Sequence, residues 1–178
     1  MSRAPSPTLP RKRGQGKQRR IRIEVVVRSA RWRSQPKAQI IVKTAVLEAA
    51  KAVSTPAAEL AIVLDDDSAI RALNRQWRGQ NAPTNVLSFP AAPPGDRRSA
   101  SPYVGDIVIA YQTTAREAAA EGKPFGHHLA HLAVHGFLHL LGYDHDHDRD
   151  AATMERLERR ILRRLSIPDP YAPRDVQS

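Results

Sequence analysis

The sequence predicts a single-domain α+β protein, a mixed α/β sandwich with a central mixed sheet and a buried helix that bears the functional side chains. Three observations predict it. Short apolar runs of period two interleave with stretches of helical period, in the order β-α-β-α-β-β-α-α-α. Residues 125–141 are apolar on most sides, as a buried central helix must be. With 178 residues, the chain is long enough for one domain with a sizeable core and tails.

Each element has a local reason. Ile21, Ile23, Val25 and Val27 alternate with Arg22, Glu24, Val26 and Arg28, which is a strand pattern. Pro36 suits a first helical turn, and Ile40, Ile41, Thr44 and Leu47 then recur at helical spacing. Residues 59–64 read as a second strand. Asp65, Asp66 and Asp67 can cap the next helix, whose apolar side is Ile70, Leu73 and Trp77 and which Gly79 stops. Pro83, Thr84 and Asn85 open a short strand over residues 86–89, and Pro90 ends it. Residues 91–102 form a proline-bearing loop, 104–110 a strand and 111–121 a helix. Gly142 ends the apolar helix. Met154, Leu157, Ile161 and Leu165 mark a last amphipathic helix, and Pro168 and Pro170 close the fold.

Composition narrows the function classes. No apolar run approaches the roughly 20 residues of a membrane span, and no charged-then-apolar segment opens the chain, so neither a membrane nor a secreted protein is expected. Cysteine is absent, which excludes disulfide scaffolds, thiolate metal sites and cysteine nucleophiles and fits a reducing cytosol. The formal charge is +10. Residues 1–20 hold seven basic residues and no acid, so the remainder carries only +3. That segment, with three prolines and Leu9 as its one large aliphatic residue, is expected to be a disordered basic tail. It is either a solvated extension or an arm that meets phosphate.

All seven histidines lie between His127 and His147. His135 and His139 are four apart, so on a helix their rings lie one turn apart on nearly one face and can grip one metal ion. His145 joins them only if the helix stops first, because a continued helix would carry it about 15 Å further along. Gly142 supplies a left-handed stop that lets the chain fold back. Three neutral imidazoles leave a fourth position open, the pattern of a catalytic zinc rather than a structural one. His131 is placed to support His135 from behind. His127 is too far along the axis to share an ion, and His128 and His147 are expected to face solvent. Asp144 or Asp146 either fixes the tautomer of His145 or simply shapes the turn.

The spacing H-x-x-x-H-x-x-G-x-x-H is that of metzincin peptidases, but their general-base Glu is replaced here by Gly136. Glycine takes no proton, and inside a helix it costs about 1 kcal/mol relative to alanine, so close packing or substrate approach is expected at that position. A tri-histidine hydrolase acting on something other than peptides is the reading the residues favour.

Residues 135–145, His-Gly-Phe-Leu-His-Leu-Leu-Gly-Tyr-Asp-His, resemble the H-G-x-L-H-L-x-G-Y-D-H signature of the YbeY family of bacterial endoribonucleases. Residues 73–78 (LNRQWR), 83–90 (PTNVLSFP) and 105–109 (GDIVI) resemble three companion motifs in the same order. The resemblance covers about residues 21–168 and implies a catalytic domain there, with a C-terminal tail over 169–178. It implies a metalloprotease-like (zincin-like) fold. It further implies a single-strand-specific, zinc-dependent endoribonuclease of the cytoplasm, with one Zn2+ per chain. The implied work is ribosomal RNA maturation, notably at the 3′ end of 16S rRNA in the small subunit, and ribosome quality control, with ribosomal proteins or assembly factors as possible partners. His135, His139 and His145 match the family's metal ligands, and Arg78 matches its functionally important arginine. Departures are the basic tail, a loop after Pro90 poor in acidic residues, and Asn85 where many members carry Asp.

On this reading a zinc ion polarises the phosphoryl oxygen and activates water, while Arg78 presents its fork to the scissile phosphate. The nucleophile is either that water or the RNA's own 2′-hydroxyl. Asn74, Thr84 and Ser88 are candidates to line the cleft. Arg156, Arg159, Arg160, Arg163 and Arg164 on the last helix either track an RNA backbone or form a solvated face. With nine aromatic residues in all, no aromatic-rich stacking platform is evident, so RNA contact is expected to rest on phosphate and shape. Two other functions remain open, a metallopeptidase of altered mechanism and a non-catalytic ribosome-assembly factor with a structural zinc.

Overall fold

The computed structural model describes residues 21–55, 57–92, 102–145 and 147–172. The expected basic tail, most of the loop after Pro90 and Asp146 lie outside the described residues. The elements are β1 (Arg22–Val27), a 3₁₀ turn (Ala30–Ser34), α1 (Ala38–Ala52), β2 (Glu59–Asp65), α2 (Asp67–Arg78) and β3 (Val86–Pro90). They are followed by β4 (Tyr103–Ala110), α3 (Tyr111–Ala120), α4 (Phe125–Leu140) and α5 (Asp148–Arg164). The 3₁₀ turn has no periodic signal in the sequence. It is anchored by Trp32, which is buried and donates its indole N–H to the Asp65 carbonyl at 2.8 Å.

The sheet is mixed, in the order β1-β2-β4-β3. β1, β2 and β4 run parallel, with Val25 opposite Ile62 and Ile62 opposite Ile107. β3 is antiparallel to β4 at the edge, with Ser88 opposite Ile107. Parallel strands are apolar on both faces because helices cover both. On one face Leu60, Ile62, Leu64, Ile107 and Ile109 meet α1 and α4, whose Leu129, Ala133, Phe137 and Leu138 are fully buried. On the other, Ile70 of α2 packs on Leu87, Val108 and Ala110. Helix α2 has the caps its sequence predicts. The Asp66 side chain accepts the N–H groups of Ser68 and Ala69, and Gly79 ends the helix in the left-handed region at φ 69°.

Trp77 departs from its expected place. It follows the apolar period of α2 but is 65% exposed, in an edge-to-face type contact with Phe89 of edge strand β3. Helical period specifies a face of the helix, but whether anything covers that face at the last turn depends on where the sheet ends.

Gly136 explains its own helix penalty. A Cβ there would sit 2.9 Å from Ile107 Cγ2, 3.1 Å from Ser88 Oγ and 3.3 Å from Val86 Cγ2. The glycine lets α4 settle on β3 and β4, and Ser88 Oγ donates to the Gly136 carbonyl at 3.0 Å. Gly136→Ala is therefore expected to destabilise the protein by about 1–2 kcal/mol, since overpacking outweighs the gain in helix propensity. Urea unfolding checks this, and a more stable alanine variant would refute the packing argument.

Candidate metal centre

Helix α4 sets out a row of imidazoles. His135 and His139 stand one turn apart, with ring centroids 4.6 Å apart at 77° and Nε2 atoms 3.1 Å apart. The helix then closes in a Schellman arrangement: Gly142 N–H donates to the His139 carbonyl at 3.0 Å and Tyr143 N–H to the Leu138 carbonyl at 3.1 Å. Gly142 is left-handed at φ 85°. That reversal swings the chain back, and the His145 ring comes to 5.6 Å from His135 and 5.0 Å from His139, centroid to centroid. One ligand nitrogen from each of the three lies within 4.8 Å of the other two. The structure thus brings together the three residues the spacing predicted. Their chemistry, three imidazole nitrogen donors on a partly exposed rim, suits a borderline divalent cation such as zinc.

Electrostatics favour the lone pairs. Burial, followed by the neighbouring rings of His135 and His145, lowers the His139 pKa from 6.5 to about 4, so its imidazole is neutral at physiological pH.

The residue missed by sequence reasoning is Glu158 of α5. It is fully buried. Its Oε1 accepts from His135 Nδ1 at 2.8 Å and its Oε2 from His131 Nε2 at 3.0 Å. Tyr171 donates its hydroxyl to the same Oε2. Burial pushes the carboxyl pKa up, but the hydrogen bonds from His131 and His135 outweigh it and hold the group down at about 2. A proton fixed on His135 Nδ1 leaves Nε2 bare and turned toward His139, which is how a carboxylate orients an imidazole for a metal. His131, His135 and Glu158 also form a close triplet of possible ligands. Their contacts are at hydrogen-bond length and their carboxylate is fully buried, so we read them as support for the outer site. A signal existed in the sequence: Glu158 lies four residues after Met154 and three before Ile161, inside the apolar stripe of its helix.

These shifts carry a pH dependence. The folded pKa of His139 lies below its ordinary 6.5, and that of Glu158 lies below its ordinary 4.5. In both cases the unfolded chain takes up a proton that the folded chain refuses, so both contributions are complete at neutral pH. The His139 contribution fades as pH falls from 6.5 to about 4, and the Glu158 contribution from 4.5 to about 2. Metal-free protein should lose stability steadily on acidification from pH 7, and denaturation midpoints unchanged between pH 7 and pH 4 would contradict this.

Other expected positions divide. Arg78, Thr84 and Ser88 line one cleft of about 570 Å³ together with His135, His139 and His145. Asn74 does not line it. It is buried, and its Nδ2 donates to the Ala82 carbonyl at 2.8 Å, holding the segment after α2. Asp144 shapes the turn by accepting the His145 backbone N–H at 2.7 Å. His147 is exposed, as expected. His128 is not: it is 5% exposed, with Nε2 at 2.8 Å from Glu117, which also accepts from Asn85 Nδ2 at 2.9 Å. Its partner sits on α3, where the local pattern around His128 carries no trace of it. The arginines of α5 are partly engaged: Arg159 pairs with Glu155 and Asp169, and Arg160 donates to the Ala52 carbonyl. Residues 169–172 turn back on the domain, with Lys123 donating to the Pro170 carbonyl at 2.9 Å. A peptidase base has no room at position 136, where Ile107, Ser88 and Val86 fill the space a side chain would need.

Residues 26–166 match the family model described as Endoribonuclease YbeY. Proteins named Endoribonuclease YbeY from Rhodopseudomonas palustris (strain BisB18), Nitrobacter hamburgensis and Bradyrhizobium sp. (strain BTAi1) are 55%, 55% and 52% identical to this chain. Each alignment covers 85% of this chain, and 93%, 83% and 93% of the respective relative. The solution structure of a Thermotoga maritima protein matches 88% of this chain and 99% of its own length with a TM-score of 0.54. At 22% identity that likeness is one of fold.

Proposed function

The chain belongs to the YbeY endoribonuclease family, hydrolases that act on RNA, and on that premise we propose a zinc-dependent, single-strand-specific endoribonuclease of the cytoplasm. Its proposed work is maturation of ribosomal RNA, notably the 3′ end of 16S rRNA in the small subunit, and ribosome quality control. The proposed catalytic unit spans residues 21–168, flanked by the basic tail 1–20 and the C-terminal segment 169–178. No helix among the described residues is long and apolar enough to cross a membrane.

The observation that carries the reading is the convergence of three imidazoles in the cleft that also holds Arg78. His135, His139 and His145 would hold one zinc. When bound, the ion supplies Lewis acidity, polarising a phosphoryl oxygen and making a nearby water more acidic. Glu158 keeps the proton on His135 Nδ1 and so keeps Nε2 available. Arg78 offers a planar fork of donors to the non-bridging oxygens of the scissile phosphate and stabilises charge as it develops there.

The test is metal analysis of the purified protein, paired with cleavage of single-stranded RNA by wild type, His139→Ala and Arg78→Ala. We expect one zinc per chain in wild type and about 100-fold slower cleavage with Arg78→Ala. A 2′,3′-cyclic phosphate on the product identifies the RNA 2′-hydroxyl as the nucleophile, whereas a 5′-phosphate with a free 3′-hydroxyl identifies water. Equal cleavage by all three proteins would mark a contaminating nuclease and remove the case for this site. Undiminished ribosomal RNA processing by a metal-free variant would leave a structural zinc in a non-catalytic factor.

A further inference from the structure

We propose that Trp77 is a base-stacking subsite: an unpaired nucleobase next to the scissile phosphate lies on its indole face while neighbouring phosphates lie along the arginines of α2. The inference rests on the endoribonuclease reading and adds to it the contact that selects single strands.

Trp77 is the most exposed of the large apolar side chains among the described residues, at 65%. It is not stray surface, because it lines the same cleft as His135, His139, His145 and Arg78. Phe89 braces it, ring centroids 5.9 Å apart at 63°, an edge contact that leaves an indole face uncovered. An aromatic ring held in one place loses little freedom on binding, and every base presents a π-face to it. A paired base in a duplex has both faces stacked already and cannot use the site, so the ring discriminates single strands without reading sequence.

Charge around the ring suits the same occupant. Residues 68–90 contain Arg71, Arg75 and Arg78 and no acid. At about 100° per residue the three arginines fall within about 60° of one another and form a stripe about 10 Å long that ends at the cleft. Arg71 and Arg75 line a shallow groove of their own on the outer face of α2. Among the described residues none of the three is engaged in an ion pair. A cationic stripe beside an aromatic platform is the arrangement that tracks a single-stranded backbone.

The chain carries its own reporter. It has two tryptophans, and Trp32 is 3% exposed in the core, so emission that responds to a bound strand comes from Trp77. A short single-stranded oligoribonucleotide would be titrated into the full chain in the presence of a chelator, with binding followed separately by anisotropy of an end label. We expect saturable quenching with the single strand, none with a duplex of the same sequence, and none in Trp77→Phe. In cleavage assays with metal present, Trp77→Ala is expected to raise KM about ten-fold while Trp77→Phe stays within about two-fold. Arg71→Gln with Arg75→Gln should weaken binding and flatten its salt dependence. Binding without quenching, or an unchanged KM in Trp77→Ala, overturns the proposal and assigns the exposed ring to a protein contact instead. Failure of the endoribonuclease reading looks different: metal-loaded wild type would not cut RNA at all, whatever the fluorescence does.

Discussion

Glu158→Ala is expected to lower the stability of the metal-free protein by about 3 kcal/mol, because it empties a fully buried site and strips the shared acceptor from two partly buried imidazoles, His131 and His135. His131, His135 and Tyr171 all donate to this one carboxylate. For a chain of this size that loss corresponds to a fall in Tm of roughly 10 °C. Zinc affinity should drop as well, by about 10- to 100-fold, since His135 loses the acceptor that holds its tautomer and ring orientation. Glu158→Gln separates charge from shape. It preserves volume and one acceptor, so the stability loss should shrink to about 1–2 kcal/mol while most of the loss in metal affinity persists. Thermal unfolding in chelator and metal competition titrations read the two effects independently. If Glu158→Gln binds zinc as tightly as wild type, the charge of the carboxylate does not tune the site.

His139→Ala is expected to abolish RNA cleavage while leaving the fold intact. Its ring reaches the rim of the cleft, and its Nε2 lies 3.1 Å from that of His135. Two remaining imidazoles hold a divalent ion poorly, and the electrostatic stabilisation withdrawn is worth several kcal/mol, on the order of a 10³-fold loss in rate. Circular dichroism should be unchanged, and zinc content should fall well below one per chain. Excess zinc would restore little activity. Removing metal from wild type with a chelator should reproduce the loss and also lower Tm, because an ion bound only by the folded state stabilises it by mass action. Cleavage by His139→Ala at more than about a tenth of the wild-type rate would show that the three imidazoles do not form the catalytic centre.

The parts of the site that were legible in the sequence are those governed by local geometry. Helical period placed His135 over His139, and Gly142 marked the reversal that returns His145, so a stretch of eleven residues specifies the trio. Asp66 and Gly79 likewise announced both ends of α2. Less was legible where an element's surroundings mattered. In α5 the acidic and basic residues look like a solvated helix face, and the burial of Glu158 shows only as a break in the apolar stripe around Met154 and Ile161. His128 reads as a surface residue until α3 brings Glu117 against it. The period of α2 assigns Trp77 to the face of Ile70, yet one is buried and the other open to the cleft, because edge strand β3 supports only part of the helix.

The amino-acid sequence by itself therefore determined the family, the mixed α/β order and the convergence of three imidazoles, since motif, period and a left-handed glycine act over a few residues. Only the tertiary structure decided that a buried carboxylate 23 residues beyond His135 anchors that imidazole. It also decided that Tyr171 closes the same network and that Trp77 opens onto the cleft. The physical reason is range: hydrogen bonds and burial between α4, α5 and the edge of the sheet depend on where distant segments meet, and spacing within one segment does not encode that.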